Sequence, residues 1–463
     1  MLNYEGWCLL VILSALIAHM LLALPHMHTE RAMQTRLTGH GGTLSTAVGT
    51  VLRACGTMVL AVIPSAVCRG GVTRLGLPAF FAAGIAVLLC LLVPRIKARS
   101  AHALTLCEAV SGDAWTRAGL GALSALAALL SAAAAVGMVA RMFAYVFSLH
   151  YMIALAAATA LALMLTLLCG ARARRAMDPM QSVLLTILLI GTPVAAFLLS
   201  DNATQALQPL QQPVAMESDL IWTILADLGA GIGALGLLLP AQHLFSAQKP
   251  TALRKGGIIA SAVTAVLTLL ACIAGLAAHA VGIKLDSIPA AETVLTQIAE
   301  LSALPNPLSA LLNAALLTTL LLFAQSALHF VGNAVAWDVV QPLNRQEKDR
   351  PLCLLADGVA LIACALTFPL SMNAANTPLA WYVRDALLLG SVAGSFLLLR
   401  AFGTKTSRLG QRIGLAAGAA VVLVAWLLPL PEKYKLLGAI PAVLAATLPQ
   451  LLIKEPSMDK KSA

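Results

Sequence analysis

Charge is what this sequence lacks most. Only 11% of its residues are Asp, Glu, Lys or Arg, where soluble domains carry about 25%. That leaves no room for a soluble catalytic domain of ordinary size. Aromatics are scarce too, at 5%. The 9 cysteines have no paired spacing, which excludes a zinc knuckle or a disulfide framework. Cys55, Cys90, Cys169, Cys272 and Cys364 fall inside apolar runs and read as small buried hydrophobes. There is no P-loop, no Gly-rich dinucleotide turn after a strand, no HExxH and no nucleophile elbow. The expectation is therefore no enzyme, no cofactor and no use of ATP. The opening MLNYEGW has an acid and no Lys or Arg before its apolar run. It reads as a retained helix rather than a removed signal.

Apolar residues are what the chain has instead, 60% of it, with a mean hydropathy of +0.88. Runs long enough to cross a bilayer as helices recur from end to end. Thirteen spans are expected, at about 7–24, 44–66, 74–94, 118–140, 149–169, 181–200, 221–241, 257–281, 308–334, 352–372, 380–400, 412–430 and 436–453. The fold class is all-α and polytopic, and the lipid bilayer is the first partner.

The formal net charge of +10 is a topology signal and implies no nucleic acid. Lys and Arg concentrate in alternate loops: MHTERAMQTR, PRIKARSAHAL through Arg117, GARARRAMD, QKPTALRKG, NRQEKDR, GTKTSRLGQR and the tail IKEPSMDKKSA. The positive-inside rule then puts the N-terminus outside and the C-terminus in the cytoplasm, in a multi-pass inner-membrane protein. Two loops carry helical patterns. HALTLCEAV, within 95–117, is expected to lie along the membrane surface. The middle of 282–307 is expected to cover the outer face.

The richest stretch runs from Leu308 to Leu343. It carries Asn313, Thr318, Thr319, Gln325, Ser326, His329 and Asn333 at membrane depth. Unpaired polar groups are expensive in hydrocarbon, so these face protein, water or a ligand. Two readings stay open: glue between helices, or a path for a solute or ion. His329 is a proton carrier on one reading and a packing residue on the other.

Span 2 is irregular. Arg53 lies about a third of the way in, Gly49 and Gly56 weaken the helix, and Pro64 is expected to bend or stop it. Interrupted spans point to a transporter's binding region. Span 7 carries Asp227, followed by Gly229, Gly231, Gly233 and Gly236. A carboxylate there needs a partner. Arg53 is expected either to snorkel or to pair with Asp227, both facing inward. Before span 6, Asp178 and Pro179 read as a helix cap and first-turn residue, or as part of an ion path with Gln181. Asp357 and Asp385 read as helix-start charges.

Several stretches, in order, resemble one family. LPAFFAAGIAVLLCLLVPRIKARSAHALTLCEAV resembles a third span leading to an "ALTLPDFL" helix. GARARRAMDPMQ is similar to "GGFRAVVWTDVIQ", with Gly170, Arg172, Asp178 and Gln181 matching. GAGIGALGLLLPAQHLFSAQKPTALRKG is similar to "GLGYFGQPHIVQRFLAAKSEKEARRG" when small gaps are allowed. Its matches include Gly231, Gly236, Pro240, Ala247, Lys249 and Gly256, and His243 with a further gap. AQSALHFVGNAVAWDVVQPL resembles "ADSQLLVASSALTEDIYRPL", keeping Ser326, Ala334, Asp338 and Pro342. The family is the sodium:solute symporters, and the resemblance covers roughly residues 40–345.

That resemblance implies a five-plus-five inverted repeat. Residues 1–43 would be an extra helix and loop, 44–400 the core of spans 2–6 and 7–11, and 401–463 two extra helices and a tail. It implies secondary symport of a small polar organic solute, such as an amino acid or carboxylate, with spans 2 and 7 changing between states. It also implies Na+ as coupling ion.

The sequence departs from the family where the ion would sit. The broken stretch GTMVLAVIPSAVCRGG keeps Pro64, Arg69 and Gly71. The small hydroxyl positions become Gly56, Thr57, Met58 and Val59. The family's "ST" pair becomes Leu322 and Phe323, which offer no side-chain oxygen. Sodium would need Thr318, Thr319, Ser326 and Thr57 with carbonyls near Pro64, and Asp178 near the cytoplasmic mouth. H+ would need one titratable group, Asp227 or His329. A non-transporting sensor or assembly subunit, working through a regulatory partner protein, remains the alternative.

Overall fold

A computed structural model describes residues 3–26, 32–39, 41–199, 220–281, 283, 288–302, 304–344, 349–375, 377–429 and 431–453. They form helices throughout, in the order expected. Among the described residues twelve helical spans are long and apolar enough to cross a membrane, and a bent pair makes a thirteenth. Span 1 is Tyr4–His26, span 2 is Thr43–Ala54 with Met58–Arg74, span 3 is Gly76–Arg99 and span 4 is Ala114–Val146. Spans 5 to 8 are Tyr151–Leu168, Ala173–Leu198, Leu220–Phe245 and Pro250–Ala280. Spans 9 to 13 are Asn306–Asn344, Arg350–Ala374, Ala380–Phe402, Arg408–Leu427 and Tyr434–Leu452. The tail from Lys454 lies outside the described residues.

Burial sorts these spans. Span 9 is the most enclosed, packed by spans 1, 4, 6 and 10. Spans 1, 5, 12 and 13 turn much of their apolar surface outward, with Ile17, Leu167, Leu427 and Leu452 exposed. That suits a hydrocarbon solvent, which leaves backbone polar groups to pair inside each helix.

Span 2 bends by 55° at Cys55–Thr57. The break comes before Pro64, not at it, and the helix runs on through the proline to Gly70. The reason lies in the turn before it. Met58–Val62 is π-helical, and the Ile63 N–H reaches the Met58 carbonyl. A proline has no N–H and its ring clashes with the carbonyl four residues back. A wider turn carries the helix past it. The same device recurs twice: the N–H of Val93, before Pro94, bonds Leu88, and that of Gln341, before Pro342, bonds Ala336.

Span 7 is interrupted too. Its first helix stops at Ala234 and the second starts at Leu238, with Leu237 extended between them. Gly236 sits here against span 11, where a Cβ would collide with the Gly390 carbonyl. Only glycine admits that approach.

The loops close the two ends differently. One end carries the basic loops and is called the basic end. There the helix Leu106–Val110 is mostly buried rather than lying on the surface. Thr105 and Arg117 both donate to Asp338 at the end of span 9, at 2.5 and 3.1 Å. Gln242 of span 7 bonds the backbone of Leu104 and Leu106. At the opposite end, Ile288–Glu292 and Val294–Leu301 cover the bundle as short helices. Buried Glu292 accepts from Arg141 and from the backbone N–H groups of Leu379 and Ala380.

Candidate functional site

The breaks in spans 2 and 7 meet at one cavity of about 60 Å³. Its walls are largely apolar, with Met58, Phe81, Leu237, Phe323 and Phe330 among them. Gly56 lies under Phe323, whose ring a Cβ there would strike. The polar lining is Arg53, Thr57, Ser124 and Ser131. Thr57 donates to the Ser131 carbonyl at 3.4 Å.

A second cavity of about 510 Å³ lies at the opposite end, along Ser65, Arg69, Arg74, Trp381 and Arg384. It shares Met58, Val383 and Leu387 with the central cavity. A third, of about 100 Å³, lies at the basic end and shares Arg53, Leu239 and Phe330 with the centre.

Arg53 does not pair with Asp227. Its Nη1 donates to the Gly49 carbonyl at 2.7 Å and to Asp178 Oδ2 at 3.3 Å. Asp227 instead stands 3.7 Å from Arg74. The two spans run antiparallel. Arg53 comes about three turns from the basic end of span 2, and Asp227 about two turns from the far end of span 7, so they lie at different depths. Both are buried in protein, as expected.

Asp178 is not a cap. The helix starts at Ala171, so Asp178 lies two turns inside it. It accepts from Arg174 at 2.5 Å as well as from Arg53. Arg174 also donates to Ser326 Oγ at 2.9 Å. Thus Arg53, Asp178 and Ser326 come together around Arg174. The side chain of Arg172 lies outside the described residues. Asp357 and Asp385 lie inside their helices and pair with Arg36 and Arg384.

Most of the polar run on span 9 faces neighbouring helices. Asn313 donates to the Tyr4 hydroxyl at 2.6 Å, on span 1. Thr319 accepts from Gln181 of span 6. Gln325 and His329 both bond the Cys169 carbonyl, at 2.7 and 2.9 Å. Thr318, Thr319 and Ser326 each donate back to their own helix. Ser326, His329 and Asn333 line the third cavity, and Pro64 lies buried within span 2. Among the described residues no three His, Cys, Asp or Glu side chains form a metal cluster.

Sequence reasoning passed over Arg174, Arg36, Arg141 and Glu292, because it had used the arginines as loop markers. The spacing of Arg174 and Asp178 was a usable signal, since residues four apart share a helix face.

Residues 41–418 match the model of the sodium:solute symporter family. This chain belongs to the sodium:solute symporter family. As a family member it is a secondary transporter that moves a solute across a membrane, and not an enzyme. No curated protein matches the sequence significantly. Among solved structures, the chain is similar to one described as the substrate-bound outward-open state of a Na+-coupled sialic acid symporter. The TM-score is 0.80 at 13% identity, covering 98% of this chain and 99% of that one. A manganese transporter of Eremococcus coleocola is similar at a TM-score of 0.50 and 16% identity, covering 89% and 87%. At such identities these likenesses speak for the fold alone.

Proposed function

We propose that this transporter carries a small polar organic solute, an amino acid or carboxylate, by cation symport across the inner membrane. The observation that carries this reading is that spans 2 and 7 break at one cavity, which adjoins a larger cavity at one end and a smaller one at the other. Half-helix ends at membrane depth are a transporter's means of offering backbone groups to a solute. On this reading spans 2–6 and 7–11 form a five-plus-five inverted repeat within 44–400, flanked by 1–43 and 401–463. The two cavities at the ends open alternately. The basic end is cytoplasmic by the positive-inside rule, with the N-terminus outside. Reporter fusions that place residues 170–180 and 401–411 outside the cell would overturn that orientation.

The path residues on this reading include Arg53, Thr57, Pro64, Asp178, Gln181, Asp227, Thr318, Thr319, Gln325, Ser326, His329 and Asn333. The coupling ion is Na+ or H+. One observation favours a second reading, a proton-coupled carrier or a non-transporting sensor with a regulatory partner. The Ser326 oxygen proposed for sodium accepts from a guanidinium. Uptake of a labelled nutrient panel into proteoliposomes, under sodium and proton gradients imposed separately, tests both readings. Uptake of a solute under either gradient supports a carrier. No uptake under any gradient counts against it.

A further inference from the structure

Three cavities follow one another through the bundle, and no carboxylate lines any of them. The largest has Arg69, Arg74 and Arg384 in its walls. The central one has Arg53 as its sole charged lining residue. The third has Arg36, Arg53, Arg174 and Arg175. The acids near this path are held by arginines: Asp227 beside Arg74, Asp178 between Arg53 and Arg174, Asp357 on Arg36 and Asp385 on Arg384, while Asp338, which lines a cavity of about 30 Å³ beside the third, is held by Arg117. A cleft with walls of one charge and a low dielectric concentrates ions of the other sign.

Arg53 is the sharpest feature. Its side chain is only 9% exposed, yet only Nη1 is spent on the protein. Nε and Nη2 have no hydrogen-bond partner among the described residues. A guanidinium edge with donors to spare fits a carboxylate. Arg53 and Arg174 also share the single carboxylate of Asp178, so this buried cluster has one positive charge in excess. Buried charge is costly unless paired. The helix Leu238–Phe245 also begins at the central cavity, and a helix start favours an anion.

We infer that the transported solute is an organic anion with no cationic group of its own: a small carboxylate whose charge is read by Arg53 and whose apolar body lies against Phe323 and Phe330. The inference rests on the transport reading above and narrows it. A zwitterion would bring an ammonium group into cavities whose walls hold no carboxylate to receive it.

The test uses the full-length protein, in detergent for binding and in proteoliposomes for uptake. Propionate and pyruvate serve as carboxylates, alanine and proline as zwitterions, and glucose as a neutral solute. The carboxylates are expected to raise the melting temperature and to be taken up. Arg53→Gln is expected to weaken that binding about tenfold or more, as loss of a hydrogen bond between charged groups does, with Arg53→Lys keeping part of it. Arg69→Gln, at an exposed site, is expected to raise the half-saturating carboxylate concentration at low salt, and less at high salt. Arg69→Gln keeps the test decisive should Arg53→Gln not fold. Binding and uptake of zwitterions or glucose, undisturbed by carboxylates, would overturn the inference and leave transport standing. Carboxylate binding without uptake would keep Arg53 as the carboxylate's partner but overturn the transport reading, and with it the inference that the anion is transported. Neither binding nor uptake of any probe would overturn both.

Discussion

Arg174 donates its Nε–H to the Ser326 hydroxyl at 2.9 Å, linking the start of span 6 to the middle of span 9. The same guanidinium donates to Asp178, so a fixed positive charge sits where an ion oxygen was sought. Replacing Ser326 by Ala should cost roughly 1 kcal/mol for the lost hydrogen bond. It should leave any stimulation of uptake by sodium within about twofold, since a guanidinium already uses that oxygen. Uptake compared in sodium and potassium media, for wild type and Ser326→Ala, checks this. Loss of sodium stimulation in the variant would put the ion at Ser326 after all.

The Arg141–Glu292 pair is buried, and its partners extend into the turn between spans 10 and 11. Arg141 donates to the Ala374 and Thr377 carbonyls, while Glu292 takes the Leu379 and Ala380 N–H groups. Removing one partner of such a pair strands the other charge, at about 3–5 kcal/mol. Glu292→Leu should therefore lower the melting temperature sharply. Glu292→Leu combined with Arg141→Met should recover part of the loss. A double variant no better than the single one would show that the backbone bonds, not the charge, carry the effect.

Gly236→Ala should damage span 7 where it breaks, because the added methyl meets the Gly390 carbonyl. Overpacking of this kind costs about 1–3 kcal/mol. Gly358→Ala is the control, with nothing near its would-be Cβ. Thermal stability and uptake should both fall in the first variant and hold in the second.

Asp113 caps span 4 and gives a pH-dependent contribution. Burial pushes its carboxyl up, but the Thr116 N–H and Arg412 outweigh this and hold it below the usual aspartate range. A depressed carboxylate stabilises the fold above its ordinary pKa, and the contribution fades as pH falls through the folded value. Asp113→Asn keeps a capping oxygen and loses the ion pair, which is about half exposed on the Arg412 side. Its penalty should be under about 1 kcal/mol at neutral pH and should fade as pH falls below the usual aspartate range. Melting curves of both proteins across pH would check this.

The spans were legible because each needs an apolar run of bilayer length, and that signal is local. The short helices Ile288–Glu292 and Val294–Leu301 were legible from helical periodicity, which is also a local signal. The break in span 2 was placed wrongly because Pro64 marks a missing N–H, whereas the π turn ahead of it depends on packing. The Arg53–Asp227 pairing failed because charge identity was weighed without depth. Asp178 stood out in the sequence but not as the acceptor for Arg53, a contact between residues 125 apart in sequence. The polar run on span 9 was visible at once. Which neighbour each side chain meets depends on how the helices are rotated, and an apolar pattern that runs all round a helix does not encode that.

The π turn before Pro64 has one more effect. A wide turn holds one residue more than an α turn, and a single residue advances a helix by about 100°. Everything beyond Val62 is therefore out of phase with the helix that would have continued from Met58. Ser65 and Arg69, four apart, both face the 510 Å³ cavity. Deleting one residue within Met58–Val62 would rotate them away together and carry Arg69 off that wall. The turn thus sets the angular bearing of the second half of span 2.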